Sequence, residues 1–283
     1  MLRAAFIFPI LALLCAVPAT ADPCKRRIGD VCKGETLSSV AALLEAARMA
    51  DVVIIGERHD NPDHHATQAK LVEALAPGGL AFEMIADRDE GAANADRANW
   101  INPAWNGWEM YQPIIAAAPE AVIAGGLVAK DIIRTAMIRG AATAWPEGAR
   151  YRLAEPLPMD MVEDMIMEQR TAHCKALAKH SLPGMVEAQQ LRDASFADAA
   201  LRLHEAGHRP VVLITGNGHA RTDRGVPLYL RRAASDLTVV AIGQRELERG
   251  GGLHPLWKTP FDFTIHTEAH DRGNPCETFR RKS

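Results

Sequence analysis

Two apolar, β-branched runs in this chain are each followed by the pattern Gly-x-x-His. Gly56-Glu57-Arg58-His59 follows Val52-Val53-Ile54-Ile55, and Gly216-Asn217-Gly218-His219 follows Val211-Val212-Leu213-Ile214, about 160 residues later. Open α/β sheets carry their functional groups in loops at the carboxyl ends of strands. If the two strands are neighbours, two imidazoles share one cleft. A carboxylate is available to join them, because Glu83 ends the apolar run Leu80-Ala81-Phe82. A buried ionised carboxylate is costly unless it is paired or bound to a cation. Glu83 therefore reads as a ligand or general base beside His59, or as the ion-pair partner of Arg58 or Arg134.

The first motif is unusually dense, with His59, His64 and His65 close together and Glu57 and Gln68 on either side. Imidazole suits zinc, copper, iron and nickel, and Glu57 adds a hard oxygen. In one reading His59, Glu83 and His219 hold a divalent metal such as zinc, manganese or cobalt. Such a metal lowers the pKa of bound water, and Glu57 then serves as the base, giving a hydrolase whose catalytic carboxylates are Glu57 and Glu83. In the structural reading Asp60 or Asn61 caps a helix and the histidines are idle. Arg221 follows the second motif, and its guanidinium fork suits a carboxylate. Met159, Met161, Met165 and Met167 offer soft ligands or an adaptable apolar lining. Tyr111, Tyr151 and Tyr229 are the three tyrosines, so any phenolate ligand is one of them. His173-Cys174 reads as a metal pair, or Cys174 as half a disulfide. No Gly-x-Ser-x-Gly elbow is found, nor a phosphate-binding Gly-rich loop.

These side chains need elements to hold them. Periodicity predicts a helix from Thr36, as cap, to Ala50, with Leu37, Val40, Leu43 and Leu44 on one face. A buried strand over 51–56 follows. Asn61-Pro62 opens a helix to about Leu75, with proline in the first turn. After the turn at Pro77-Gly78-Gly79 comes a strand over Leu80–Met84. This β-α-β order favours parallel pairing with a right-handed crossover. A polar helix from about Asp87 leads into an aromatic loop with Trp100, Trp105 and Trp108, and Pro113–Ala118 reads as helix. A strand over 121–124 ends at Gly125-Gly126, and Lys130–Ala142 reads as helix. Residues from about 158 to 207 form two helices broken near 181–184, an insertion or cap. Strands over 210–215, 237–242 and 261–266 and a helix over Val226–Ala233 complete the order. The fold class is α/β, a mixed, mostly parallel sheet flanked by helices, with the helical insertion inside one domain spanning 22–283.

Residues 1–21 read as a secretory signal: Arg3, an apolar stretch from Phe6 to Val17, and the small-x-small site Ala19-Thr20-Ala21. Cleavage before Asp22 gives a secreted or periplasmic product. The apolar stretch is too short for a good membrane span, and Leu14 before Cys15 is too large for a lipidation site. The chain carries 32 basic and 35 acidic side chains. With no basic block among them, nucleic acid is excluded as a partner. Cys24, Cys32, Cys174 and Cys276 remain after cleavage, and an oxidising compartment permits disulfides among them. Four cysteines allow three pairings, of which a bridge tying the two termini is one.

Taken in order, several motifs resemble the ChaN-like family. They are Gly56-Glu57-Arg58-His59-Asp60-Asn61-Pro62 with His65 and Gln68, Phe82-Glu83-Met84, Gln189-x-x-Arg192-Asp193 with Phe196-Ala197, and Gly216-Asn217-Gly218-His219-Ala220-Arg221 with Gly225-Val226-Pro227. The resemblance implies an exported haem-binding protein of iron acquisition, delivering to a membrane haem-uptake component. It implies two haems stacked between the subunits of a homodimer. It also implies a tyrosine on iron and a histidine on the propionates. Carried onto this sequence, the haem-binding candidates are His59, His64, His65, Arg192, His219, Arg221 and Tyr229. The wider superfamily, with the Tiki and TraB proteins and the erythromycin esterases, implies instead metal-dependent hydrolysis through His59, His219 and Glu83.

Overall fold

The computed structural model describes residues 23–103, 105–247, 260–273 and 276–277; the signal segment and Cys15 lie outside them. The carboxyl ends of the central strands carry the functional groups, so the sheet sets the site. Its strands are β1 (Val31–Lys33), β2 (Thr36–Ser38), β3 (Val52–Glu57), β4 (Gly79–Phe82), β5 (Val122–Gly125), β6 (Val211–Gly216), β7 (Val239–Leu247) and β8 (Phe263–Glu268). They lie in the order β2-β1-β8-β7-β3-β6-β4-β5. The pairs from β8 to β5 are parallel, and β1 runs antiparallel to both β2 and β8. The sheet is thus mixed and mostly parallel, as the β-α-β pattern predicts.

Strand alternation divides the core. Val53, Ile55, Leu80, Phe82, Val212 and Ile214 point to one face. There they meet α1 (Val40–Arg48), α2 (Pro62–Leu75) and α4 (Gln112–Ala116). Val52, Ile54, Ala81, Val211 and Leu213 point to the other face. There they meet α5 (Lys130–Arg139), α6 (Ala141–Ala144), α8 (Leu182–Glu205) and α9 (Val226–Ala233). The remaining helices are α3 (Asp87–Ala95) and α7 (Met159–Ala172). Successive side chains of a strand face opposite ways, and these strands are buried on both faces. Hence they read as continuous apolar runs rather than alternating ones.

The helix α2 runs from Pro62 to Leu75, with the Asn61 side chain accepting from the Asp63 N–H. The expected helix from Thr36 is shorter. Thr36–Ser38 is a strand, Ser39 caps, and the helix spans Val40–Arg48. Leu37 and Val40 are exposed rather than packed. Pairing with β1 decides this segment, a contact that local periodicity does not show. The helix expected over Lys130–Ala142 breaks at Gly140, whose φ of 88° lies in the left-handed region. Of the two helices expected as an insertion, α8 is part of the flanking layer. Its alanines at 188, 194, 197, 199 and 200 are fully buried against the sheet side.

Two disulfides tie the periphery: Cys24–Cys32, and Cys174–Cys276 across a separation of 102 residues. The first is local. The second joins the segment after α7 to the C-terminal segment, so neither links the two termini. Cys174 is therefore half a disulfide and not part of a metal pair with His173.

Gly125 ends β5, where a Cβ would sit 2.0 Å from the Ile85 carbonyl oxygen. That oxygen belongs to backbone and cannot swing aside. Gly125→Ala is expected to destabilise the fold by about 2 kcal/mol or more, measured by chemical denaturation. Unchanged stability would contradict the close approach of β5 to the chain after β4.

Candidate functional site

The two Gly-x-x-His strands are direct neighbours. In the β3–β6 register, Gly56 lies opposite Thr215 and Glu57 opposite Gly216. Their loops therefore leave the sheet side by side, and β4 on the far side of β6 delivers Glu83. The Glu83 carboxylate accepts from the Thr215 hydroxyl at 2.7 Å and from the Gly216 N–H at 2.8 Å, both through Oε2. Its other oxygen faces two imidazoles, 3.7 Å from His59 Nε2 and 3.8 Å from His219 Nε2. The alternative pairing of Glu83 with Arg58 or Arg134 is not formed. A side chain at Gly216 would crowd this arrangement, since a Cβ would stand 3.2 Å from His59 Nε2.

Each imidazole is oriented from behind by a second carboxylate. His59 Nδ1 donates to Glu57 Oε1 at 2.8 Å, and His219 Nδ1 donates to Asp193 Oδ1 at 2.6 Å. Glu57 also accepts from the Tyr111 hydroxyl at 2.6 Å, and its second oxygen lies 3.2 Å from His65 Nδ1. Acid and imidazole thus alternate along one row: Glu57, His59, Glu83, His219, Asp193. Burial alone would push the Glu83 carboxyl up, but His219, His59 and its two hydrogen bonds hold it at about 2. Burial pulls His59 down, yet Glu83 and Glu57 raise it to about 9. His219 is likewise raised against burial by Glu83 and Asp193. Burial and Glu57 push the Tyr111 phenol well up, so it stays protonated. Alternation of charge makes the buried part of the row tolerable, since each buried charge has opposite neighbours, while the His59 ring remains 39% exposed.

A cleft of about 330 Å³ opens above the row, lined by Glu83, Trp105, Leu127, Val128, Arg192, Phe196 and His219. Its walls are apolar and its floor is ionic. The Trp105 ring packs edge-on to His59, with centroids 5.3 Å apart. Phe196 packs likewise on His219, at 4.8 Å. Arg192 has no hydrogen-bond or ion-pair partner among the described residues, so its cation is left for something that enters. A second cleft of about 520 Å³ lies beside the α2 N-terminus, lined by Asn61, Asp63, Glu268 and Asp271 among others. Its carboxylates would repel an anionic guest.

The structure gathers His59, Glu83, His219 and Arg192 at the cleft, with His65 and Glu57 directly behind. Three sequence candidates fall elsewhere. His64 is buried in α2, where Nδ1 accepts from the Arg58 N–H at 2.9 Å and Nε2 bonds Thr267 Oγ1 at 2.8 Å. Arg221 is committed to Asp223 at 2.6 Å and lies beside Glu168. Tyr229 is buried with its hydroxyl 3.4 Å from Gln190 Oε1. Glu57 is 2% exposed and already bonded, so it cannot act as a base on a substrate. Of the Met cluster, Met159 and Met167 are exposed and Met165 is buried, and none of the four lines the cleft. A divalent ion finds less to hold it. Among the described residues, the three-ligand group that converges within 4.8 Å is Cys24, Cys32 and His266, and both sulfurs are disulfide-bonded.

His204-Glu205-Ala206-Gly207-His208 also spells His-Glu-x-x-His, the zinc pattern that needs both histidines on one helix face. Here α8 ends at Glu205, Gly207 turns left-handed at φ 88°, and Glu205 pairs with Arg150. The two imidazoles therefore do not share a helix face. Asp193, Thr215 and the wall residues Trp105, Leu127 and Val128 carry no signal of their own in the sequence. Asp193 and Phe196 stand out only through the motifs shared with the ChaN-like family.

His64 gives a pH signature. Burial lowers it from 6.5 to about 4. The unfolded chain then takes up its proton first, so this contribution to stability is lost as pH falls from 6.5 toward 4. An NMR titration of the His64 ring is expected to show it neutral down to about pH 4. A midpoint near the ordinary value would contradict its buried, bonded placement.

The chain matches, over residues 43–230, the family model described as haem-binding uptake, Tiki superfamily, ChaN. Among solved structures it is similar to ChaN of Campylobacter jejuni, described as binding heme cofacially. That match has 19% identity, 83% of this chain and 95% of that chain covered, and a TM-score of 0.62. The type III effector HopBA1 is more distant, at 16% identity, 81% and 92% coverage and a TM-score of 0.42. Erythromycin esterase EreC follows at 11% identity, 86% and 82% coverage and 0.40. No curated protein matches the chain. With its motifs, its sheet and about two thirds of its length matched, the chain belongs to the ChaN family of the Tiki superfamily.

Proposed function

We propose that this protein binds haem and acts in haem or iron uptake after export. The observation that carries the reading is the unpartnered Arg192 guanidinium set among apolar walls at the cleft. Haem is a planar apolar ring with carboxylates on one edge, and this lining offers one complement to each part. Pockets for small ligands typically pair an apolar lining with a few placed polar groups. The Arg192 fork suits a propionate, and Trp105, Leu127 and Phe196 offer ring contacts. The family membership supports the same ligand.

The cleft is at the small end for such a ligand. One edge of haem would enter it and the other would stay outside. A second copy of the chain covering that outer part accounts for pairing around stacked haems, and a membrane component would receive the cargo. The two disulfides fit an oxidising compartment, consistent with the signal-like N-terminal segment. A metal-dependent hydrolase is less well supported, because Glu57 is sealed behind His59 and, among the described residues, His59, Glu83 and His219 do not bring three ligand atoms within 4.8 Å of one another.

Titrating purified protein with hemin is expected to give a saturable change in the Soret band. Arg192→Ala is expected to weaken binding about tenfold, the cost of one charge-assisted contact. Absence of a saturable change at micromolar hemin would overturn the reading. In parallel, light scattering should show the hemin-loaded protein at twice the monomer mass. A monomer with haem bound would remove the paired arrangement.

A further inference from the structure

We infer that the cleft recognises the porphyrin ring and its carboxylates rather than the metal at its centre, so that metal-free porphyrin is bound as readily as haem. This rests on the haem-binding reading above. It follows from where the described residues able to ligate iron lie.

Phenolate comes first. The chain has three tyrosines, and all three are buried. Tyr111 donates to Glu57 at 2.6 Å, Tyr151 donates to Asp198 at 2.8 Å, and Tyr229 lies 3.4 Å from Gln190 Oε1. Turning Tyr111 outward would strip a buried carboxylate of a donor, and such an unmade bond costs about 1–3 kcal/mol or more for a charged group.

The imidazoles come next. His59 and His219 each spend Nδ1 on a carboxylate and aim Nε2 at Glu83. Glu83 cannot step aside, since Thr215 and Gly216 hold it at 2.7 and 2.8 Å. An iron at either Nε2 would have to displace that carboxylate from between the two rings. The Trp105 ring packs edge-on against His59, with centroids 5.3 Å apart.

Thioether is the third class, and the four methionines of α7 are not part of the cleft lining. Apart from the Glu83–His219 floor, whose polar atoms are spent on each other and on their neighbours, the cleft presents apolar wall and the Arg192 cation to a guest. Neither senses whether the macrocycle holds iron. The ligand class is therefore a planar tetrapyrrole with carboxylates, whatever its centre.

The test compares hemin, zinc protoporphyrin and metal-free protoporphyrin IX, each titrated into the full purified chain at submicromolar concentrations. Quenching of tryptophan fluorescence, to which Trp105 contributes, reports binding. The three dissociation constants are expected to agree within about threefold. Arg192→Ala is expected to raise all three by the same factor. Hemin bound more than about thirtyfold tighter than metal-free porphyrin would overturn the inference, while the haem-binding reading would stand. Failure of all three to bind would overturn both.

Discussion

One buried carboxylate, Glu83, organises the site. A charge there is tolerable only because two imidazoles face one of its oxygens while a hydroxyl and a backbone N–H satisfy the other. That requirement fixes the neighbourhood. The β3 and β6 strands must be adjacent, so that both histidines arrive from the same sheet edge. The absence of a side chain at Gly216 leaves room for His59. Each imidazole then needs its own carboxylate behind it, and Glu57 and Asp193 supply these from β3 and α8. Breaking a buried charge network by removing one member leaves the others uncompensated. The row is therefore best understood as a rigid, pre-formed floor. The groups free to receive a ligand lie just above it.

Much of this was legible in the sequence, for physical reasons particular to each segment. The helix at Pro62 and the helix over Val226–Ala233 announce themselves through local signals, a capping asparagine or a proline in the first turn. The central strands do so through apolar runs that burial on both faces demands. The paired histidines and Glu83 stood out because strand ends are where α/β sheets place such groups. What the sequence could not show was partner choice across distance. Glu83 had arginines and a histidine as candidate partners, and only the β4–β6 pairing selects the two imidazoles. Asp193 sits on a helix 26 residues before its histidine, a separation with no local signature. The strand at Thr36–Ser38 exists because β1 lies beside it, and β1 is itself held by β8.

Residues placed away from the cleft show the same constraint. His64, Arg221 and Tyr229 are of types that bind haem or carboxylates elsewhere, yet each is consumed by an internal contact. The His-Glu-x-x-His spelling at 204–208 fails because the helix stops in its middle. Residue type and spacing nominate a group, while burial and an existing partner remove it. Arg192 passes both filters: it lines the cleft, and among the described residues nothing pairs with it.

On this reading, haem is received in the apolar cleft above the Glu83 row, with Arg192 at its wall. A crystal structure of the hemin-loaded protein tests it most directly. One porphyrin edge is expected among Trp105, Leu127 and Phe196, with a propionate on Arg192 and the Glu57–His59–Glu83–His219–Asp193 row unchanged. Haem seated in the acidic cleft beside Asp63 and Glu268, or ligated by a tyrosine turned out of the core, would contradict it.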